Sequence, residues 1–317
     1  MRLLITGGAG FLGSHLVERL LRTGARVVVT ASSEQTPLRY LGPIAKSVSF
    51  LVGDLRSAEH ARRAVRGQEI VLHLAGRVGG IGYNTAHPGT IFRENTLLFL
   101  HIVEACREES VARLLVTSTA CVYPRHCSIP TPEEEGFQGT PEPTNEGYGW
   151  AKRMMEFAGA AYAREFGLNV CTARPYNAYG PRDNFDPDSS HVIPALIRRV
   201  LSGEDPLVVW GDGTATRSFL YVSDVVEGIL AVAERSPQVE AINIGSAEEV
   251  SIRDLAGLVV ELSGKSVDCV FDSSRPGGQP RRCCDTSLAE RLLGFRAQVG
   301  LREGIRRTME WYRSRFQ

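Results

Sequence analysis

The sequence predicts an α/β protein, a doubly wound parallel sheet carrying a smaller α+β lobe. Two observations point there. Short β-rich runs alternate with amphipathic helical windows through the first half of the chain, and those runs are apolar throughout, as strands covered on both faces are. Beyond "NVCTARPYNAYGP" the spacing loosens, so a second, differently built lobe is expected.

In chain order, "RLLIT", "RVVVT", "VSFLVGD", "EIVLHLA" and "RLLVTST" are expected strands. Between them "FLGSHLVERLLRTG", "SAEHARRAVRG" and "NTLLFLHIVEACREE" are expected helices, the first closing on Gly24. Later, "HVIPALIRRVLSG" reads as a helix and "AINIGS" as one more strand of the main sheet. The first lobe is therefore expected over 1–175 plus 221–245, and the smaller lobe over 176–220 plus 246–317. One long linker-like stretch, "CSIPTPEEEGFQGTPEPTNEG", is of the length that in compact domains often serves function.

With 317 residues the chain is long enough for a large core. Its 36 Lys and Arg balance 36 Asp and Glu, so no long-range field favours nucleic acid or an anionic membrane, and any anionic ligand must be held by a local cluster. The apolar start "MRLLIT" is too short for a signal peptide, no window approaches a membrane span, and a cytoplasmic location is expected. Seven cysteines without zinc-like CxxC pairs point to reduced thiols and no metal site, with Cys283 and Cys284 as buried apolar positions.

"LLITGGAGFLGSHL" places Gly7, Gly10 and Gly13 between a strand and a helix. Glycines there allow a tight turn and close backbone approach, and the free N–H groups of the helix start face a pyrophosphate. This is the entry to a Rossmann dinucleotide-binding sheet. Phe11 and Leu12 lie in the same turn, and Leu55, Leu74 and Ala75 at later strand ends are the other expected cofactor contacts. The second strand ends "VVVTASSEQ", with Thr30 and Ser32 and no carboxylate before Glu34. A strand end of that kind favours NADP(H), with NAD(H) as the alternative. Asp54 is a candidate contact to the adenine amine or, on the structural side, a helix N-cap.

"YGWAK" puts Tyr148 and Lys152 four apart on one helix face. A lysine one turn from a phenol is expected to lower the phenol's pKa towards working pH, so that Tyr148 exchanges a proton with a sugar oxygen while hydride moves at the same carbon. Thr119, at its strand end, would hydrogen-bond that oxygen. Together these motifs make the chain resemble an extended short-chain dehydrogenase/reductase, the family of nucleotide-sugar epimerases, dehydratases and reductases, over essentially its whole length.

Within that family, "GRVGGIGYN", "STACVYP" and "GPRDNFDPDSSHVIPALIRR" followed by "VVWGDGTATRSF" are similar to the branch of GDP-L-fucose synthase and GDP-mannose 3,5-epimerase. The resemblance implies an epimerising acid/base pair at Cys121 and His191, and substrate contacts at Asn177, His191, Arg199, Trp210, Arg217 and Arg282. The chemistry agrees. Inverting a carbon beside a ketone needs one proton-exchanging group per face, and a thiol and an imidazole both titrate near neutrality. Cys121, on an extended segment, is expected to point to the same side as Thr119. As bland alternatives, Cys121 fills a strand end and His191 caps its helix.

The chain departs from the branch at Ala9, where an arginine usually stands, and at Gly277, where aspartate is frequent. Both departures bear on the NADP phosphate and on the base and sugar recognised. The implied activity is epimerisation at C3 and/or C5 of a 4-keto nucleotide sugar with hydride transfer at C4, on a GDP-sugar, by a homodimer formed through "LLFLHIVEAC" and "WAKRMMEFAGAAYA". The alternative is a redox-neutral epimerase, either a C4 epimerase of an NDP-hexose or heptose or a 3,5-epimerase, with retained NAD(P). A non-catalytic dinucleotide sensor would be marked by loss of the tyrosine or lysine, and both are present.

Overall fold

The computed structural model describes residues 1–33, 40–275 and 279–317; Glu34 and Gly277 lie outside the described residues. The strands are β1 (Arg2–Thr6), β2 (Arg26–Ala31), β3 (Ser49–Val52), β4 (Ile70–His73), β5 (Arg113–Thr117), β6 (Val170–Pro175), β7 (Ala178–Tyr179), β8 (Leu207–Trp210), β9 (Thr216–Ser218), β10 (Leu220–Tyr221), β11 (Ala241–Ile244), β12 (Glu249–Ser251), β13 (Cys269–Asp272) and β14 (Arg281–Arg282). The helices are α1 (Phe11–Leu21), α2 (Ala58–Val65), α3 (Ile81–Ala86), α4 (Pro88–Glu108), α5 (Glu146–Phe166), α6 (Val192–Leu201), α7 (Val222–Arg235), α8 (Ile252–Ser263), α9 (Ser287–Leu293) and α10 (Leu301–Phe316).

Seven strands form one parallel sheet in the order β3-β2-β1-β4-β5-β6-β11. The order reverses between β1 and β4, which opens a crevice above their carboxyl ends. Strand alternation splits the core. Leu3 and Ile5 face α1 and α7, whereas Leu4, Val71, Leu114 and Val116 face α2, α4 and α5.

All five strands expected in the first half are present, and "AINIGS" supplies β11. The sixth strand, β6, was hidden because "VCTARP" carries Thr, Arg and Pro, yet all six residues are buried. Helix α4 starts seven residues before the apolar "NTLLFLH" window because Pro88 sits in its first turn, where no N–H is needed. Pro194 is tolerated near the start of α6 for the same reason.

The smaller strand groups β7-β10, β8-β13 and β12-β9-β14 lie outside the main sheet. Helices α6, α8 and α10 share a separate core built on Ile197, Val200, Leu255, Val259, Ile305 and Met309. Ala289, Leu293 and Phe295, inside the 246–317 segment expected in the smaller lobe, instead pack beside α7 and β11 in the main core. The linker-like stretch is pinned down: Thr131 N donates to Cys283 O at 2.9 Å and Asp285 N to Thr131 O at 3.0 Å. All seven cysteines are free thiols, with Cys283 and Cys284 buried.

Candidate active site

The glycine turn lies at the reversal point. Gly7 takes φ +68°, and a Cβ there would fall 2.8 Å from Ala75 N. Gly10 caps α1 with no side-chain acceptor and no acidic residue follows in the first turn, so the helix start presents bare N–H groups and the positive end of its dipole. A Cβ on Gly13 would overlap the Gly7 carbonyl oxygen. Across the turn, Ala75 N donates to Thr6 Oγ1 at 3.1 Å, which also bonds His73 Nδ1 at 2.9 Å. Burial lowers the His73 pKa to about 3, so this imidazole is a neutral strut under Leu74 and Ala75. Phe11 and Leu12 lean on the second core.

Thr30, expected as a cofactor contact, packs against the glycine turn. It is buried, and its Oγ1 accepts from Gly7 N at 3.3 Å, bracing the turn. Ser32 is exposed at the end of β2. Asp54 is not the cap of α2; that role falls to Ser57. Instead Asp54 accepts from Arg56 N at 2.8 Å and from Arg56 Nε at 2.9 and 3.0 Å, contacts that hold its carboxyl below the usual range. The half-buried chain of contacts continues to Glu94, which accepts from Arg56 Nη1 and Arg77 Nη1, each at 2.9 Å. Sequence reasoning passed over Arg56, Arg77 and Glu94; "GDLR" and "GRVGG", following two expected strands in turn, were the available signal. Leu55 is buried beneath this cluster.

Beyond β5 the chain turns through Thr119 and Cys121 against α5. Cys121 is not on an extended segment. Thr119 Oγ1 accepts from Cys121 N at 3.3 Å and caps a short 3-10 turn over Ala120–Val122, which redirects the thiol. Gly149 permits the close approach, since a Cβ there would lie 2.5 Å from Cys121 O. Lys152, 3% exposed, donates from Nζ to Thr117 O at 2.7 Å and lies 5.5 Å from the centre of the Tyr148 ring. Burial lowers the Lys152 pKa to about 8. Burial, and next Cys121, raise that of Tyr148, so the expected lowering of the phenol by the lysine is reversed here by desolvation. Cys121 perturbs both Tyr148 and Lys152, which brings the thiol, phenol and ammonium into one electrostatic neighbourhood.

The turn is held from behind by buried polar groups that the sequence did not reveal. Arg174 donates to Glu156 through Nε at 2.9 Å and Nη2 at 2.6 Å, and to the Tyr123 hydroxyl at 2.8 Å. Ser118 Oγ donates to Glu156. Arg153 donates from Nε and Nη2 to Val122 O at 2.9 and 2.7 Å.

In the smaller lobe, His191 precedes α6 without capping it through its side chain, 60% of which is open to solvent. Asn177 Nδ2 donates to Ser218 O at 2.7 Å, so its amide braces β9. Arg199, expected at the phosphates, is committed elsewhere: it pairs with Glu204 and donates to Val208 O at 2.7 Å, tying α6 to β8. Trp210 is 57% exposed, with the Arg275 guanidinium 4.9 Å from its ring centre. Arg217 and Arg282 are direct neighbours in register on β9 and β14. Neither has a carboxylate within ion-pair distance among the described residues. Burial, then Arg282, lower the Arg217 pKa to about 10. Two adjacent cations short of counter-charge suit a diphosphate.

A glycine turn that bares a helix start at the reversal of a parallel sheet, with a phenol and a lysine at the adjoining strand end, defines an NAD(P)-dependent enzyme of hydride and proton transfer. The residues present fit the dinucleotide, because the start of α1 has no side-chain cap and no acidic residue in its first turn, leaving N–H groups for a pyrophosphate. The chain belongs to the NAD dependent epimerase/dehydratase family, whose model matches residues 3–245.

Among known proteins, it is 33% identical to probable GDP-L-fucose synthase 1 of Oryza sativa subsp. japonica, over 98% of this chain and 92% of that protein. The solved UDP-glucose 4-epimerase of Thermotoga maritima, with UDP-glucose, superposes with a TM-score of 0.89 at 29% identity, covering all of both chains. The dTDP-glucose 4,6-dehydratase DesIV of Streptomyces venezuelae, with NAD and TYD bound, superposes with a TM-score of 0.87 at 30% identity, over 99% of this chain and 98% of that one.

Proposed function

We propose that this protein epimerises C3 and/or C5 of a 4-keto-6-deoxy nucleotide sugar and reduces C4, as its likeness to a GDP-L-fucose synthase suggests. The observation that carries the proposal is Cys121 packed by its carbonyl against Gly149, the residue that follows Tyr148 on the helix that also bears Lys152. A plain reductase has no need of a proton-exchanging thiol there.

Bound NADP(H) supplies the hydride; the carboxylate-free described end of β2 supports the phosphorylated form. Tyr148 gives its proton to the C4 oxygen, Lys152 offsets negative charge building on the phenol, and Thr119 hydrogen-bonds the same oxygen. During epimerisation those donors stabilise the enolate. Cys121 and His191 remove and return the proton at the neighbouring carbon from opposite faces. Arg217 and Arg282 hold the diphosphate of a GDP-sugar, and Trp210 and Asn177 line its approach. We further propose that the protein is a cytoplasmic homodimer joined through α4 and α5.

A second reading, redox-neutral C4 epimerisation with retained cofactor, is favoured by the likeness to the UDP-glucose 4-epimerase. One assay separates them. NADPH absorbance is followed with GDP-, UDP- and dTDP-linked 4-keto-6-deoxy sugars and their parent hexoses, and products are read by NMR in deuterated water. Stoichiometric NADPH loss with deuterium at C3 or C5, abolished in Cys121→Ser and His191→Asn, is the expected result. Product formed without net NADPH consumption overturns the epimerase-reductase.

A further inference from the structure

We propose that Asp183 is a positioning residue for His191: its carboxylate takes the Nδ1 hydrogen of the imidazole, aims Nε2 into the cleft, and holds the imidazolium formed once His191 has taken a proton. The proposal rests on His191 being an acid/base group, as argued above.

Asp183 is an unusual carboxylate. Only 3% of its side chain is exposed. Its Oδ1 accepts from Asn184 N at 2.7 Å, but its Oδ2 is buried with no hydrogen-bond partner among the described residues. A buried carboxylate left half-satisfied costs stability unless a cation comes to it. His191 Nδ1 lies 4.0 Å from Oδ1, the one ion-pair contact of Asp183 among the described residues. An approach of about 1 Å would close that gap to a hydrogen bond.

The surroundings disfavour the charged form of both groups. Burial, opposed only by the Asn184 amide, raises the Asp183 pKa to about 7, while the protein around His191 lowers that of the imidazole. The arrangement of carboxylate with imidazolium gives each charge the partner that its surroundings otherwise lack.

Asp183 is also anchored to the cofactor side of the molecule. The preceding residue, Arg182, sits at φ +68° and donates to Glu18 at 2.6 Å and to His15 Nδ1 at 2.9 Å on α1, and to Tyr40 O at 3.3 Å. His15 Nε2 returns a contact to Pro181 O at 2.7 Å. Its burial lowers the His15 pKa to about 4, so this contact is made by a neutral ring. The loop holding Asp183 is thus bolted to the helix that begins at the glycine turn, whereas His191 opens α6 in the other lobe. A bond between them fixes the proton-transfer group relative to the site of hydride transfer.

The test is an NMR titration of the His191 ring in the full-length protein, assigned with His191→Asn, in wild type and in Asp183→Asn, which keeps the side chain's shape. The expected result is a fall of the His191 pKa by about one unit, roughly tenfold weaker proton binding. Deuterium uptake beside the keto group should slow to a similar degree, while KM for the nucleotide sugar stays within about twofold. Asp183→Glu should restore part of both. Should Asp183→Asn fail to fold, the carboxyl titration of Asp183 is followed in wild type and His191→Asn, and coupling must shift it.

An unchanged His191 titration in Asp183→Asn, or an unchanged Asp183 titration in His191→Asn, overturns the pairing alone. Deuterium uptake that survives in His191→Asn overturns the acid/base role itself and leaves Asp183 nothing to position.

Discussion

The ammonium of Lys152 lies 5.5 Å from the centre of the Tyr148 ring, and its hydrogen bond goes to the Thr117 carbonyl rather than to the phenol. Burial lowers the Lys152 pKa from 10.5 to about 8, so the charge that assists Tyr148 is present below that pH and lost above it. For keto reduction, kcat/KM should hold steady below pH 8 and then fall, approaching roughly tenfold per pH unit. The stability linkage has the opposite sense. A folded-state pKa below the unfolded one means the buried ammonium costs stability below pH 8, and this cost fades as pH rises towards 10.5. Lys152→Met should therefore lose at least about a hundredfold in kcat yet melt no lower than wild type at neutral pH. A wild-type profile flat across pH 7 to 10 would remove Lys152 from proton transfer.

Gly13 sits where a methyl group would overlap the Gly7 carbonyl oxygen and come within 2.6 Å of Gly8 Cα. Neither is the mobile end of a side chain, so Gly13→Ala must displace the turn that receives the pyrophosphate. Alanine itself favours helix over glycine by about 1 kcal/mol, so local helix stability is not at risk. The expected outcome is a folded protein whose NADPH affinity, followed by cofactor fluorescence, drops at least about tenfold, or roughly 1.4 kcal/mol. Wild-type affinity would show that the dinucleotide does not use this turn.

Arg174 and Glu156 have side chains 3% and 5% exposed and pair through two hydrogen bonds. Removing one partner strands the other charge in the core, at about 3–5 kcal/mol. Arg174→Met should lower stability by that order in urea unfolding. It should also depress activity in the folded fraction, because Glu156 receives the Ser118 hydroxyl directly before Thr119. The double variant Arg174→Met/Glu156→Leu should recover much of the stability, since the buried charge leaves with both partners. A single variant within about 1 kcal/mol of wild type would mean that water already reaches the pair.

Most of the sheet could be read from the chain because five strands and their helices carry their periodicity locally. The strand β6 could not, since Arg174 is polar in sequence and acceptable in the core only through Glu156, eighteen residues earlier on another element. The site divides the same way. The glycine turn and the Tyr148–Lys152 spacing are local patterns. That Arg217 and Arg282 stand side by side, while Arg199 is spent on Glu204, depends on strand pairing and side-chain contacts that spacing does not carry. The apolar run of β5 by itself implies an extended segment through Cys121; the Thr119 hydroxyl ends it by capping a turn, a contact that spacing does not carry.

On α4 and α5, Phe92, Leu100, Trp150, Met154 and Phe157 are between 37% and 53% exposed, and Phe92, Trp150 and Met154 line a shallow depression with Pro88, Gly89 and Gly147. Single exposed apolar residues are ordinary, but five at helical spacing along two packed helices, three of them around one depression, are of the kind that a subunit contact covers. A second copy meeting this face about a twofold axis would make a four-helix layer, each Trp150 entering the partner's depression. Sedimentation should accordingly give twice the chain mass of 34.7 kDa. Trp150→Glu with Met154→Glu puts charges into the centre of the contact and should give a folded monomer, with the NADPH affinity of wild type because neither residue is in the glycine turn. Wild type sedimenting as a monomer at micromolar concentration, or the double variant remaining dimeric, would rule out this face as the contact.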